Sequence, residues 1–245
     1  MRDDLQDAQA AVDWAVAQTK ILQRRIARWL DRGPYFAVTV PDCQPGRELV
    51  RVKQREPMPR AINIEAGAVI DMLRTSLDLL AVALAERNGH ANPKDVSFPI
   101  AASLLEFIDP LHGALKKIKR LAEADRAAIE LLKPYPGGDD RICALHQLDL
   151  LRRQHPLVTV SARPRSMALI ACGPDAEPEY LYAGKLEDGA ALFRLPVGTN
   201  AKIDLRLEVA FNETTYANGR PVVTTLRDFA NRAAEILARF AMTPN

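Results

Sequence analysis

Apolar residues recur with helical spacing along the first part of the chain. Two series with a seven-residue period share one helix face: Leu5, Val12, Thr19 and Ile26, and Ala8, Ala15, Leu22 and Trp29. This stripe predicts a helix over residues 3–31, which Gly33 and Pro34 end in the usual order. The stripe is typical either of a coiled-coil dimer or of a helix that packs on its own domain.

The next segment changes to strand-like composition. In YFAVTVPDCQPGRELVRVKQ (35–54), two runs rich in valine and aromatic residues flank a Pro/Asp/Gly connection. Such an arrangement predicts a β-hairpin.

Residues 63–87 are apolar around most of a helical circumference, which predicts a helix that is buried on most sides. Its exceptions are spaced i, i+3, i+4 and i+7 and form one polar stripe: Asp71, Arg74, Thr75 and Asp78. The stripe has two interpretations. In the first, Arg74 bridges the two aspartates in an internal ion-pair network and reaches a loop carbonyl. In the second, the stripe is the floor of a polar cleft that faces a helix at 141–155.

The region from 101 to 155 is helical in composition but interrupted. Asp109 and Pro110 break the first helical stretch, and PYPGGDD (134–140) predicts a turn. Asp139 or Asp140 can cap the helix at 141–155, which Pro156 ends.

After Pro156 the hydrophobic period becomes alternating. The pattern predicts strands at 157–163, 166–172, 179–186, 190–196 and 203–211, which form an antiparallel meander. A terminal helix is predicted at 225–241, with Thr225 and Asp228 as a capping box and a core stripe of Leu226, Phe229, Ala233, Ile236, Leu237 and Phe240.

The element order predicts an α+β fold. It has a helical core (residues about 60–155) with an N-terminal long helix and hairpin, followed by an antiparallel sheet and a C-terminal helix. We expect a single domain over residues 1–245, with a soft internal boundary near residue 156 between the helical and strand-rich halves.

Composition narrows the class of protein. The chain has 245 residues, 48% of them hydrophobic and 26% charged, and a net charge of +2, which argues against a dedicated polyanion binder. Cys43, Cys143 and Cys172 are far apart, so we expect neither a disulfide framework nor a metal site. Without a signal-peptide pattern or a spanning apolar run, we expect a cytoplasmic protein with no cofactor and no membrane partner.

Arginines and histidines supply the candidate catalytic residues: Arg74, Arg141, His146, Arg152 and His155. A metal-independent ribonuclease needs an acid/base and a cation on one phosphate. On a regular helix Arg141 and His146 point about 140° apart, so they do not share one narrow stripe. Arg152 and His155 are about 60° apart, but His155 directly precedes Pro156 at the end of the helix.

Four segments resemble an uncharacterised bacterial family. They are LRTSLDLLAVALA (73–85), FPI (98–100), LLKPY (131–135) and LHQLDLLRRQH (145–155), in the order of the family's L-R-S-A-L-D-H-L, F-P-I, Q-P-Y and L-x-x-L-x-x-x-D-K-H-R. The R-x-x-x-x-H of the first family motif implies an analogy to the helical HEPN ribonucleases. Here Leu79 stands where the family has histidine, and RRQH replaces D-K-H-R.

Two functional hypotheses follow. The first is a non-catalytic binding or interaction module of a bacterium, with a homodimer through helix 3–31 or through the helical core as the expected partner. The second is a HEPN-like, metal-independent ribonuclease or a degenerate member of such a family, and only this alternative has RNA as a partner. Leu79 in place of the family histidine favours the first.

Overall fold

The fold was obtained as a computed structural model, which describes residues 3–154, 160–172, 177–184, 186–212 and 217–242. Its helices are α1 (Gln6–Asp31), α2 (Arg60–Arg87), α3 (Leu104–Ile108), α4 (Glu123–Glu130), α5 (Asp140–Gln154) and α6 (Val222–Ala241), with 3₁₀ turns at Asp3–Leu5 and Ala114–Ile118. The predicted α+β fold is confirmed, with a long N-terminal helix, antiparallel strand pairs and a C-terminal helix.

The strands form two sheets. They are β1 (Tyr35–Pro41), β2 (Arg47–Gln54), β3 (Val160–Cys172), β4 (Glu179–Tyr180), β5 (Ala191–Pro196) and β6 (Asn200–Phe211). One sheet has the order β1-β2-β5-β4, and the other pairs β3 with β6. The hairpin β1–β2 confirms the prediction for residues 35–54. Its pairing with β5, however, joins segments far apart in sequence, and the alternation within each strand carries no information about that partner.

The observed strands do not form the predicted meander. β3 pairs with β6, and β5 lies between β2 and β4, so the strands that follow one another are not all neighbours. The strand expected at 179–186 is β4, which has two residues. The segments 157–163 and 166–172 were expected as two strands, but β3 runs through Pro164 without interruption from Val160 to Cys172. Within the described residues β3 pairs with β6 alone, so one of its edges is free of strand partners. A proline that lacks the N–H on such an edge removes no ladder hydrogen bond.

The chain divides into two compact units. Unit 1 contains Met1–Gln23, Asn63–Thr159 and Phe211–Asn245, and unit 2 contains Arg24–Ile62 and Val160–Ala210. Leu73, Leu148 and Phe229 are fully buried in unit 1, and Val50 and Phe193 are fully buried in unit 2. A change of unit at Val160 lies close to the boundary expected near residue 156, and the single-domain organisation stays a prediction.

Helix α6 begins earlier than predicted, at Val222, so the capping box of Thr225 and Asp228 is wrong. Thr225 lies inside the first turn, and its hydroxyl donates to the carbonyl oxygen of Pro221 at 2.7 Å. Pro221 occupies the cap position with a non-helical backbone conformation and supplies no side-chain hydrogen bond. The predicted core stripe is confirmed, since its six residues are all buried: Leu226, Phe229, Ala233, Ile236, Leu237 and Phe240.

The apolar stripe of α1 is buried within a single chain. All eight members are at most 7% exposed: Leu5, Ala8, Val12, Ala15, Thr19, Leu22, Ile26 and Trp29. Thr19 fits this environment because its hydroxyl donates to the carbonyl oxygen of Ala15 at 2.8 Å. A coiled-coil dimer through this stripe would first have to uncover side chains that the chain already covers.

Candidate functional site

Arg74 lies at the centre of a polar network between α2 and α5. Its side chain is about as buried as the surrounding leucines, with the residue only 4% exposed. One terminal nitrogen donates to Oδ1 of Asp78 at 2.7 Å, and the other donates to the carbonyl oxygen of Phe98 at 3.1 Å. Nε donates to Nδ1 of His146 at 3.3 Å. The guanidinium therefore uses all three of its nitrogens inside the protein, as a buried charge requires.

Asp78 completes a clamp on the segment that follows α2. Its Oδ1 accepts from the backbone N–H of Phe98 at 2.8 Å, while Arg74 binds the carbonyl of the same residue. The ion pair therefore satisfies both backbone groups of Phe98, whose ring is fully buried. Since an extended segment without a strand partner has no ladder to satisfy its backbone, this clamp fixes the FPI segment against α2.

The contact with Arg74 determines the protonation of His146. An arginine only donates hydrogen bonds, so Nδ1 of His146 is an acceptor and the ring proton is on Nε2. Burial, followed by the positive charges of Arg74 and Lys117, lowers the pKa of His146 from 6.5 to about 4. At neutral pH the ring is therefore uncharged and presents one N–H donor.

A second ion-pair group continues along the same two helices. Arg152 of α5 pairs with Asp71 of α2 and lies 3.4 Å from Asp149. Asp149 is fully buried and lies 2.9 Å from Arg153 as well. Asp71 and Asp78 thus have different arginine partners, so the expected bridge from Arg74 to both aspartates is wrong. The expected internal ion pair and the expected contact with a loop carbonyl are both present, at Asp78 and Phe98.

Within the described residues, neither Thr75 nor Arg141 has a hydrogen bond or an ion pair with the side chain of Arg74. Thr75 is half-buried on the polar face of α2. Arg141 is at the other end of α5, where its guanidinium is 3.6 Å from the carboxylate of Glu235 in α6. His155 lies outside the described residues. Among the candidate arginines and histidines in the described part of the chain, Arg74 and His146 are in contact.

A cleft of about 110 Å³ opens beside His146. Its lining is mixed. The apolar residues are Ile100, Ala101, Ala102, Cys143 and Leu150, and the polar residues are Glu106, His146 and Gln147. Burial and the nearby carboxylates of Asp139 and Asp140 raise the pKa of Cys143 to about 12, so this residue is a neutral thiol. At neutral pH Cys143 therefore offers the cleft no thiolate.

The four segments that carry the family resemblance are connected in space. Arg74 and Asp78 of the first segment bind Phe98 of the second, and Arg74 also binds His146 of the fourth. The third segment joins them through Pro134, whose carbonyl accepts from the N–H of Ala101 at 3.1 Å. The resemblance therefore covers residues that hold one another in place.

Sequence reasoning missed Glu106 and Gln147 as cleft residues. Glu106 lies on the five-residue helix α3, and Gln147 lies next to His146 on α5. Glu106 is placed by its own local structure: its carboxylate accepts from the N–H of Ala102 at 2.8 Å, and its N–H donates to the Ser103 hydroxyl at 3.1 Å. The serine followed by glutamate three residues later was the available signal, since this spacing is a capping box.

Within the described ranges no cluster of three or more His, Cys, Asp or Glu side chains could hold a metal ion. The helices in those ranges are also too short or too polar for any of them to cross a membrane. Comparison of the chain with models of known protein families, with curated proteins and with solved structures finds no match.

Proposed function

We propose that the protein is a non-catalytic binding module and that the cleft beside His146 is its ligand site. The observation that carries this proposal is the contact between Nε of Arg74 and Nδ1 of His146. This contact makes His146 a fixed hydrogen-bond donor at the wall of the cleft. A fixed donor of this kind is suited to binding a ligand. A general acid or base must instead exchange protons near the working pH.

The same geometry is unfavourable for catalysis by Arg74 and His146. With a pKa of about 4, His146 holds no extra proton to donate at neutral pH, and Arg74 already occupies its free ring nitrogen. Arg74 cannot turn to a phosphate without leaving the carboxylate of Asp78 and the carbonyl of Phe98 unpaired in the interior. Breaking a buried ion pair by removing one partner costs on the order of several kcal/mol of folding free energy.

The lining of the cleft defines the chemistry of the ligand. A volume of about 110 Å³ has room for roughly three or four waters at ~30 Å³ each, and so for one compact group. Ile100 and Leu150 favour an apolar body, and the Nε2–H of His146 with the amide of Gln147 favours an uncharged hydrogen-bond acceptor. The ligand is therefore a small amide or carbonyl group, on a free molecule or on a partner's side chain.

The proposal is tested by NMR of protein labelled with ¹⁵N in histidine, with N-methylacetamide as the probe. Binding is expected to shift the Nε2 resonance of His146 in a saturable way. Ala102→Phe, which fills the cleft from an exposed position, is expected to weaken the response at least tenfold, whereas Ala124→Phe on the exposed face of α4 leaves it unchanged. An unshifted His146 signal, or equal titrations for the two variants, overturns the cleft as the site.

The alternative is the HEPN-like ribonuclease, and one observation favours it: an arginine and a histidine, Arg74 and His146, do meet. RNA cleavage in EDTA separates the two functions. We expect no cleavage by the wild-type protein. Cleavage that survives EDTA and is lost in both His146→Ala and His155→Ala would replace the binding module by the nuclease. Cleavage that both variants retain would exclude these histidines as its source.

A further inference from the structure

Strand β1 lies at the edge of the four-stranded sheet, in unit 2. In the described part of the chain β2 is its strand neighbour on one side, and none of its seven side chains is buried. The segment YFAVTVP has no charged residue, and the register of β1 against β2 is continuous from Tyr35 to Pro41. Exposed edge strands are usually protected by lysine, by proline, by a bulge or by being short. Of these protections β1 has only the proline at its last position.

The opposite edge of the same sheet is different. β4 has two residues, Glu179 and Tyr180, and Glu179 carries a charge that pairs with Arg194. A two-residue charged edge offers no useful template for another strand. The contrast makes β1 the open edge of this sheet.

The hydrogen bonds of the hairpin show which backbone groups of β1 point outward. The N–H of Asp42 donates to the carbonyl of Arg47, and the N–H of Arg55 donates to the carbonyl of Pro34. Pro34 and Asp42, which flank β1, are therefore both in hydrogen-bonded pairs with the β2 side. Because hydrogen-bonded and non-bonded pairs alternate along an antiparallel ladder, the other even-numbered residues of β1 also bond to β2. The outward groups are therefore the N–H and C=O of Tyr35, Ala37 and Thr39 and the C=O of Pro41.

The pairing on the other side of β2 agrees with this assignment. Val52 lies opposite Ala37 and bonds to the β5 side, through its N–H to Ala190 at 2.9 Å and its C=O to Gly189 at 2.8 Å. The backbone N–H and C=O of Val52 thus point away from β1, as the alternation requires. No hydrogen bond from another described residue reaches the outward backbone groups of Ala37 or Thr39.

We propose that β1 is the interface of a homodimer, in which β1 pairs with β1 of a second copy about a two-fold axis at Val38. A second copy fits because this register is self-complementary. Ala37 lies opposite the partner's Thr39, and each donates its N–H to the carbonyl of the other. The two-fold axis repeats this pair, with Thr39 opposite the partner's Ala37. The N–H of Tyr35 reaches the carbonyl of the partner's Pro41. The register gives roughly six backbone bonds and loses only those that proline cannot donate.

Side chains also match in this register. Phe36, which is 40% exposed, lies opposite the partner's Val40, and Val38 meets its own copy at the axis. Aromatic and β-branched residues are favourable cross-strand partners, and the absence of charge means that no like-charged pair arises. About seven residues a side is a small interface, since a standard one has roughly 20–30, so the dimer is expected to dissociate in the micromolar range.

The test is sedimentation of the full chain over a concentration series. Wild-type protein is expected to pass from monomer to dimer in the micromolar range. Val38→Lys and Val38→Glu each place like charges at the axis and are expected to weaken the dimer at least tenfold. An equimolar mixture of the two variants is expected to associate again. Val197→Lys, at a 60% exposed turn position in the same unit, leaves dimerisation unchanged.

Hydrogen exchange provides the second measurement and does not depend on how the variants fold. The amides of Ala37 and Thr39 are expected to exchange quickly in dilute wild-type protein and at least tenfold more slowly when it is concentrated. The amides of Val38 and Val40, which bond to β2, are expected to be protected at both concentrations. The proposal is overturned if the protein is still a monomer at a concentration about 100-fold above the micromolar range. It is also overturned if the amide hydrogens of Ala37 and Thr39 exchange as fast in the dimer as in the monomer.

Discussion

The guanidinium of Arg74 donates through Nε to Nδ1 of His146 at 3.3 Å, which joins α2 to α5 by a contact between a permanent cation and a neutral imidazole. The contact keeps its geometry only while His146 stays unprotonated, because a protonated ring has no acceptor for Arg74. The stability of this part of the fold is therefore linked to pH through one residue.

Acidification is expected to destabilise the protein through His146. Its pKa is about 4 in the folded state and 6.5 in the unfolded state, so the unfolded chain binds more protons between these values. The stabilisation is complete above pH 6.5 and is lost as the pH falls towards 4. Over this window the loss amounts to about 3 kcal/mol at most, at about 1.4 kcal/mol per pKa unit. Urea unfolding between pH 4 and 7 measures it.

His146→Gln is the matched variant for that measurement, because glutamine can accept from Arg74 without titrating. Burial is the largest cause of the low pKa, and the charges that act on the ring are Arg74, Lys117, Asp149 and Arg153, of which only Asp149 opposes the shift. The variant should lose less stability than the wild type between pH 6.5 and 4, while His90→Gln should follow the wild type. Parallel curves for wild type and His146→Gln would show that the histidine does not control the acid limb.

Arg74→Met is expected to destabilise the protein by about 3 kcal/mol. The substitution keeps much of the side-chain volume but leaves the carboxylate of Asp78 and the carbonyl of Phe98 without their donor. Arg24→Met, at an exposed position of α1, is the control and should change stability by less than about 0.5 kcal/mol. Similar free energies of unfolding for the two variants would mean that the clamp on Phe98 contributes little.

Sequence patterns were sufficient for elements that bury one face. The seven-residue period of α1 and the stripe of α6 each predicted which side chains the structure buries. They were not sufficient where distant segments pair. Nothing in YFAVTVP or AALFRLP indicates that β2 lies between β1 and β5, because alternation defines a face and leaves the neighbour open.

The candidate site shows the same limit. The spacing of Asp71, Arg74, Thr75 and Asp78 predicted a polar stripe, and the structure does have one on α2. Which partner each side chain takes depends on the crossing of α2 with α5 and on the position of Phe98, and helical periodicity contains neither. Arg152 as the partner of Asp71 could therefore be found only in three dimensions.

Cys143 is expected to be unreactive in the folded protein. With a pKa of about 12, its thiolate fraction at pH 8 is on the order of 10³-fold lower than that of an ordinary exposed cysteine. The measurement is disulfide exchange with Ellman's reagent in a Cys43→Ser/Cys172→Ser variant, with and without denaturant. Cys43, which is exposed, provides the reference in the matching Cys143→Ser/Cys172→Ser variant. Equal rates for the two thiols in the native state would contradict the buried position of Cys143.

Val12→Asp is expected to unfold the protein and not simply to separate two subunits. Val12 is 2% exposed within a single chain, so the new carboxylate would be buried without a partner, at a cost of several kcal/mol. Ala17→Asp, on the exposed side of the same helix, is the control and should retain the wild-type melting temperature. Circular dichroism and sedimentation are measured together on both variants. If Val12→Asp kept the wild-type melting temperature and lost only its dimer, the stripe of α1 would be an interface between subunits, and β1 would no longer be needed to explain association.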